Sequence, residues 1–290
     1  MSLRPEYILT ISCPDQRGIV HSVSGFLAGH GCNILDSAQF GDAQSASFFM
    51  RVHFNVEDAA LTDALLRADF ATLAAEWQFD WQLHDAHHKP RVMLMVSKIG
   101  HCLNDLLFRH KSGLLPVDIC AIVSNHMDFY QLAASYNIPF HHLPLATGAG
   151  YEAKRAQENK VLEIVSQHRI ELVVLARYMQ ILSEPMCNAL KGRAINIHHS
   201  FLPSFKGAKP YYQAHERGVK LIGATAHFVT GDLDEGPIIE QDVERVDHAM
   251  TPEELTAIGR DVECVVLARA VKWFVEHRIL LNGHRTVVFR

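Results

Sequence analysis

The sequence lacks the cysteine arrangements that mark disulfide-rich or zinc-binding proteins. Its six cysteines are scattered along 290 residues, and none belongs to a Cys-x-x-Cys pair. A disulfide framework and a cysteine zinc site are therefore disfavoured, and we expect a protein of the reducing cytoplasm. The chain also lacks an H-E-x-x-H motif, although it carries 19 histidines. Because no metal-ligand spacing is present, we expect no metal at the functional site.

Long apolar runs and an excess of positive charge are absent as well. No stretch of 18 apolar residues occurs, so no membrane span is expected, and no apolar signal core follows the N-terminus. Lysine and arginine number 27 against 32 for aspartate and glutamate, which gives a formal charge of −5. This charge disfavours nucleic-acid binding through a basic surface.

Residues 1–86 predict a small α+β domain. Strand-like and helical patterns follow one another in the order βαββαβ, which is the ferredoxin-like arrangement. The clearest strand, at 47–55, alternates between apolar and other residues, so one face of the sheet should be buried. Four strands with two helices bury only one sheet face well, and such a unit commonly pairs with a second copy.

A polar segment at residues 87–90 reads as a linker to a different pattern. From residue 91 to residue 290, strand patterns alternate with helical ones, and several strands are continuous apolar runs. This pattern predicts an α/β domain with a doubly wound, mostly parallel sheet. The loop at 97–104 has one glycine and matches neither G-x-G-x-x-G nor a P-loop, which disfavours nucleotide binding.

Functional residues of such sheets follow the carboxyl ends of the strands. Asn196 and His198 end a predicted strand at 194–197. Because one residue separates them, they point to the same side of an extended chain. An amide beside an imidazole suits a developing oxyanion. The alternative is that both are satisfied core groups and that His199 lies at the surface.

Two other loops carry candidate site residues. The loop after the strand at 171–175 is apolar, and its backbone could bind a flat heterocycle, unless its side chains belong to the core. The loop after residue 229 is acidic and bounded by glycine. Asp232, Asp234 and Glu235 are each a candidate base there, and a solvated turn is the alternative.

The segments 196–207 and 233–238 resemble the 10-formyltetrahydrofolate-dependent formyltransferase family, and the resemblance spans about residues 91–280. The family's ordered asparagine, histidine and aspartate fall on Asn196, His198 and Asp234. The resemblance implies that these three residues are catalytic. It also implies a folate pocket made by Met179, Gln180, Ile181, Leu182, Thr230, Gly231, Asp232, Leu233 and Glu235.

The N-terminal unit, with its Pro-Asp-Gln-Arg-Gly turn at 14–18, resembles an ACT domain. That resemblance implies a regulatory amino acid near Asp15, Arg17, Gly18 and Ile19, where a glycine turn at a helix N-terminus can receive a carboxylate. A purely structural dimerisation module is the alternative. Paired ACT units also imply a homodimer or homotetramer.

An ACT unit ahead of this catalytic domain is similar to the formyltetrahydrofolate deformylases. The resemblance implies hydrolysis of 10-formyltetrahydrofolate to formate and tetrahydrofolate, in one-carbon and purine metabolism, with no cofactor. Residues 101–103 stand where ribonucleotide transferases have a small polar phosphate loop, and His199 stands where they usually have proline. His199 is therefore expected to assist hydrolysis, whereas His227 is expected to be structural. The alternatives are a formyltransferase to an amine acceptor and a non-enzymatic sensor of folate or amino acids.

Overall fold

The computed structural model describes residues 5–57, 61–146, 148–200 and 210–290. The chain divides into two compact units. One contains the residues up to His88 together with Glu276–Arg290, and the other is Lys89–Val275. The expected division placed residues 91–290 in one domain. The structure differs at the C-terminal end, because residues 276–290 group with the N-terminal unit.

The N-terminal unit contains a four-stranded antiparallel sheet with two helices. Its elements are β1 (Glu6–Pro14), α1 (Ile19–Gly29), β2 (Cys32–Asp42), β3 (Ser47–Val56), α2 (Asp63–Trp77) and β4 (Asp80–Asp85). The strand order is β2-β3-β1-β4. Apolar residues at alternate positions of β3, among them Met50, Val52 and Phe54, enter the core with Phe70 of α2. The ferredoxin-like prediction is confirmed.

The C-terminal residues contact the second face of this sheet. Arg51 of β3 points away from the core, and its Nε and Nη2 donate to the Glu276 carbonyl oxygen at 3.2 and 3.0 Å. The His277 ring stacks on His84 of β4 with 3.5 Å between the ring centroids. A hairpin of β12 (Ile279–Asn282) and β13 (Arg285–Val288) follows. Part of the face that was expected to need a second copy is therefore covered by the same chain.

The second unit is built on a seven-stranded sheet of order β11-β10-β9-β8-β5-β6-β7. Its elements are β5 (Arg91–Val96), α3 (His101–Lys111), β6 (Asp118–Ser124), α4 (Tyr130–Ser135), β7 (Phe140–His142), α5 (Tyr151–Gln167), β8 (Leu172–Leu175), α6 (Glu184–Ala189), β9 (Ala194–His198), α7 (Pro210–Glu216), β10 (Leu221–Phe228), β11 (Ile238–Arg245) and α8 (Pro252–Val275). Strands β5 to β9 pair in parallel, whereas β10 is antiparallel to both β9 and β11. The prediction of a mostly parallel, doubly wound sheet is confirmed.

Helix α8 is the largest element that the sequence patterns did not single out. It buries one continuous side, including Leu255, Val262, Val266 and Val271. Within that buried side lies a carboxylate, Glu263, whose side chain is 1% exposed. Among the described residues, no helix is both long enough and apolar enough to cross a membrane.

Candidate active site

A cavity of about 300 Å³ lies at the carboxyl ends of β8 and β9. Three segments meet there: the loop after β8, the end of β9, and the loop between β10 and β11. The lining residues are Leu175, Arg177, Tyr178, Met179, Gln180, Ile181, Leu182, Cys187, Asn196, Ile197, His198, His199, His227, Val229, Thr230, Gly231, Asp232, Leu233 and Asp234. The cavity occupies the position where ligands bind in open α/β sheets.

Asn196 and His198 both line this cavity, as their alternation on an extended strand predicts. Strand β10 runs antiparallel to β9 and sets His227 opposite Asn196. The Asn196 amide donates to His227 Nε2 at 3.2 Å, and His227 Nδ1 donates to the Phe228 carbonyl oxygen at 2.8 Å. These two bonds fit the Nδ1–H tautomer of His227. His227 was expected to be structural, but it holds the amide of a catalytic candidate.

Asp234 is brought to the same place by the loop between β10 and β11. Its Oδ2 lies 3.2 Å from His198 Nδ1, and its Oδ1 lies 3.7 Å from His227 Nε2. Hydrogen bonding with His198, the largest cause, holds the pKa of Asp234 well below its usual range. The carboxyl group is therefore ionised throughout the neutral pH range.

The backbone of the Asp234 loop is tightly constrained. Asp234 itself has a positive φ of 57°, a conformation that aspartate tolerates better than most residues. Two residues later, a Cβ on Gly236 would lie 1.7 Å from the Phe228 carbonyl oxygen. Only glycine fits there without displacing β10, so this close approach fixes where Asp234 stands.

His199 follows the catalytic candidates and packs on one of them. Its ring stacks on His198 with centroids 4.7 Å apart and an interplanar angle of 19°. Its Nδ1 lies 2.8 Å from Arg177 Nη1. Burial, followed by the charges of Arg177 and His198, lowers the pKa of His199 to about 4. Arg177 is a site residue that the sequence analysis missed.

The loop after β8 presents apolar side chains to the cavity. Met179 and Ile181 are 56% and 62% exposed, so they do not belong to the core. Leu182 is partly buried and packs against the core. The backbone is anchored from the neighbouring strand, because the Met179 N–H donates to Ser97 Oγ at 2.9 Å. A loop anchored in this way, with exposed apolar side chains, suits the binding of a flat heterocycle.

Two protein-family models match the chain. The model described as formyl transferase matches residues 90–271, and the ACT domain model matches residues 7–70. The chain is 50% identical over 291 aligned residues to a formyltetrahydrofolate deformylase of Corynebacterium sp. (strain P-1), with all of both chains covered. This chain belongs to the formyltetrahydrofolate deformylase family.

Solved structures extend this likeness to the fold. A formyltetrahydrofolate deformylase from Burkholderia mallei aligns with a TM-score of 0.93 at 55% identity, covering 99% of this chain and 100% of that one. A glycinamide ribonucleotide transformylase from Symbiobacterium toebii aligns with a TM-score of 0.65 at 30% identity, covering 73% and 97%. The resemblance to the deformylase family, with an ACT domain ahead of a formyltransferase-like domain, is confirmed.

Most of the remaining folate-pocket candidates of this deformylase-family chain lie at the cavity. The four residues Thr230, Gly231, Asp232 and Leu233 line it, and Leu233 is 57% exposed. Glu235 is exposed but does not line the cavity. The turn brings Asp234 to the cavity and leaves Glu235 exposed outside it. The motif residues 201–207 lie outside the described residues.

The regulatory candidates lie at the start of α1 in the N-terminal unit. Asp15, Arg17 and Gly18 are exposed, and Gly18 precedes the helix with a φ of 97°. Ile19 is 2% exposed and belongs to the core cluster. Its side chain is therefore unavailable to a ligand, because its apolar surface packs under the helix. Binding of an effector by this deformylase-family ACT domain stays a prediction.

One cluster of possible metal ligands could not be predicted from the spacing of residues along the sequence. His101 and Cys102 on α3 face Cys264 on α8, and one ligand atom from each lies within 4.8 Å of the others. A hydrogen bond with Cys264, together with burial, raises the pKa of Cys102 far above its usual range. Cys102 therefore keeps its proton at neutral pH, which disfavours metal binding. The expectation of a metal-free site stays a prediction.

Proposed function

We propose that this protein hydrolyses 10-formyltetrahydrofolate to formate and tetrahydrofolate. The observation that supports this proposal best is that Asn196, His198 and Asp234 line one cavity, with Asp234 Oδ2 3.2 Å from His198 Nδ1. Relatives that match the whole chain are named for deformylation, which supports this reading over transfer to an amine.

In the proposed mechanism, water attacks the formyl carbon, and the carbonyl oxygen becomes negatively charged in the tetrahedral intermediate. The Asn196 amide donates a hydrogen bond to that oxygen, and His198 stabilises it. The Asp234 carboxylate lies 3.2 Å from His198 Nδ1 and balances positive charge on that ring. This arrangement favours the charge distribution of the intermediate over that of the substrate.

Asp234 has a second task in this mechanism. Because its pKa is held low, it is a weak base towards free water, but it accepts a hydrogen bond that orients the water. The attacking oxygen becomes far more acidic once it is bonded to carbon, and its proton then passes to Asp234. The same proton reaches N10 as the carbon–nitrogen bond breaks, which gives tetrahydrofolate and formic acid. The second proton of the water is released when formic acid ionises to formate.

The pterin ring is proposed to lie between the loop after β8 and the loop after β10. Met179, Ile181 and Leu233 supply exposed apolar surface on two sides of the cavity. Backbone N–H and C=O groups of residues 179–182 are proposed to pair with the edge of the ring. On this view the Gln180 side chain contributes little to binding.

Formate release from purified protein, without any amine acceptor, tests the proposed function. Asp234→Asn and His198→Ala should each lower kcat by roughly 10²–10³, the usual loss for one such group. Glu244→Gln, at an exposed carboxylate of β11 that does not line the cavity, is the control and should stay near wild type. Wild-type turnover in a folded Asp234→Asn protein would contradict the assignment. Formate that appears only when an amine is supplied would identify a transferase.

We further propose that the ACT domain binds an amino acid and that the protein assembles as a homodimer or homotetramer in the cytoplasm. Support for assembly comes from β2, an edge strand with Ile34, Leu35 and Phe40 exposed. Calorimetry of the full-length protein with each common amino acid should give saturable heat for at least one of them. Arg17→Ala should weaken that binding, and no heat from any amino acid would contradict a regulatory role.

A further inference from the structure

A buried polar chain leads from helix α8 to the catalytic candidates. It runs from Glu263 through Arg177 to His199, whose ring stacks on His198. We propose that Arg177 is a positioning residue. Its guanidinium holds His199 as the neutral Nε2–H tautomer, and His199 then donates a hydrogen bond to an oxygen of the tetrahedral intermediate beside His198. This inference rests on the proposed function.

The hydrogen bond between Arg177 and His199 determines the tautomer. Arg177 Nη1 lies 2.8 Å from His199 Nδ1. A guanidinium group has only donors, so the imidazole nitrogen that faces it must be the acceptor. A neutral imidazole that accepts at Nδ1 carries its proton on Nε2. The geometry therefore assigns an N–H to the Nε2 side of His199.

The surroundings of His199 favour the neutral ring. Arg177 and His198 disfavour a positive charge on it, as does burial, whereas Glu263 and Asp234 favour one. Burial and the charges of Arg177 and His198 outweigh Glu263 and Asp234, and they lower the pKa of His199 to about 4. Because this value lies far below neutrality, the Nε2–H donor is present with constant occupancy throughout the neutral range.

The donor also has no protein partner among the described residues. His199 Nε2 is buried without a hydrogen bond there, and so is His198 Nε2. Both rings line the cavity. A buried N–H is costly unless an acceptor meets it. The substrate's reacting oxygen atoms are acceptors that enter this cavity in the proposed reaction, and they gain negative charge as the intermediate forms.

The other end of the chain explains how Arg177 is kept in place. Its Nε lies 3.4 Å from Glu263 Oε2, an ion-pair contact without a hydrogen bond. The same carboxylate pairs with His101 Nε2 and accepts from the Tyr211 hydroxyl, both at 2.7 Å. Burial alone would raise the pKa of Glu263, but His101, Arg177 and Tyr211 together lower it. Glu263 is thus an ionised, fully engaged anchor for the guanidinium.

Backbone conformation and packing support a specific role for this anchor. Arg177 has a φ of 67°, which is uncommon for a long side chain and is retained only where the surroundings enforce it. A Cβ on Gly259 would lie 2.2 Å from the Tyr211 ring, so glycine there lets Tyr211 reach Glu263. His101 of α3, Tyr211 of α7 and Arg177 of the loop after β8 thus all contact Glu263, which does not itself line the cavity.

Arg177→Gln tests the proposal, with nitrogen NMR of the histidine rings and steady-state kinetics as readouts. In the wild type, His199 should show protonated Nε2 and unprotonated Nδ1 from pH 6 to 8. Arg177→Gln should mix the tautomers and raise the pKa of His199. At pH 7 to 8 it should lower kcat by about 10-fold or more, with KM little changed, because a neutral ring protonated on Nδ1 offers the intermediate no donor from Nε2. Below the raised pKa the imidazolium carries a proton on both nitrogens, so the loss should become smaller there. Arg177→Lys keeps a cationic donor and should restore most of the activity.

Arg193→Gln is the matched control. Arg193 donates to the Ile170 and Ala189 carbonyl oxygens at 3.0 and 3.2 Å and does not line the cavity. This variant can lose stability, but it should keep the wild-type pH profile and His199 tautomer. An Arg177→Gln protein with an unchanged tautomer, or with a changed tautomer and an unchanged kcat profile, would overturn the proposal.

A second pair of variants covers the case in which Arg177→Gln does not fold. The amide nitrogen of glutamine can occupy the place of the His199 Nε2 donor, whereas asparagine reaches only the Nδ1 position. His199→Gln should therefore keep kcat at least about 10-fold above that of His199→Asn, with similar KM values. Equal kcat values in the two variants would contradict the inference. Failure of the wild type to release formate would refute the proposed function, while the NMR assignment would still test the Arg177–His199 link.

Discussion

At the scale of single residues, the site depends on hydrogen-bond partners that fix the charge or tautomer of each group. Asp234 is held ionised by His198. Asn196 is oriented by His227 on the adjacent strand, and His199 by Arg177. The residue types needed for the reaction are visible in the sequence, whereas His227 and Arg177 become meaningful only through their contacts.

A residue-scale prediction concerns His277 in the C-terminal segment. Burial, followed by the charges of His84 and Arg51, lowers the pKa of His277 to about 3. An unfolded histidine titrates near 6.5. As pH falls from 7 towards 3, the unfolded chain therefore binds a proton that the folded chain does not, and stability is lost.

Urea unfolding at a series of pH values measures this effect. Between pH 7 and pH 5, the free energy of unfolding should fall by on the order of 1 kcal/mol more in the wild type than in His277→Gln. His284→Gln, a substitution at an exposed histidine of the same segment, is the control and should keep the wild-type slope. If the free energy of unfolding depends on pH in His277→Gln as it does in the wild type, burial of this ring does not couple folding to protonation.

At the scale of elements, the antiparallel strand β10 organises the site. Its register with β9 sets His227 against Asn196, and the turn that follows it returns Asp234 to His198. The sequence predicted the strand and the acidic loop, because glycines bound the loop and an apolar run precedes it. Spacing alone left three acids as candidates, because it does not show which side chain turns inward, and the family resemblance singled out Asp234.

The element-scale prediction is that Gly236→Ala damages the site through the backbone. The new Cβ would collide with the Phe228 carbonyl oxygen and force the loop to shift, at a cost of about 1–3 kcal/mol in stability. Because Asp234 is carried by this loop, kcat should fall by about 10-fold or more in protein that remains folded. Gly150→Ala is the control, since its Cβ meets nothing within 4 Å. Equal kcat values in the two variants would show that the loop tolerates the change.

At the scale of the whole molecule, the sequence located both units but not every boundary. The βαββαβ order and the strand–helix alternation after residue 90 correspond to the two matched family regions. Residues 276–290 were assigned to the second domain because nothing separates them in sequence. In the structure they group with the first unit through pairs such as Arg51 and Glu276, which are 225 positions apart. Pairings at such distance leave no periodic signal.

The sequence by itself determined the fold class, the order of the two units and the catalytic residue types. Local periodicity sets strands and helices, and the rule that ligands bind beyond the carboxyl ends of strands then places Asn196 and His198. The family resemblance singled out Asp234, and the tertiary structure shows that Asp234, and neither Asp232 nor Glu235, lies against His198. The tertiary structure alone shows that Arg177 contacts His199 and that Glu263 contacts Arg177. The physical reason is that hydrogen bonds and burial depend on distances between separate elements, which spacing along one chain does not encode.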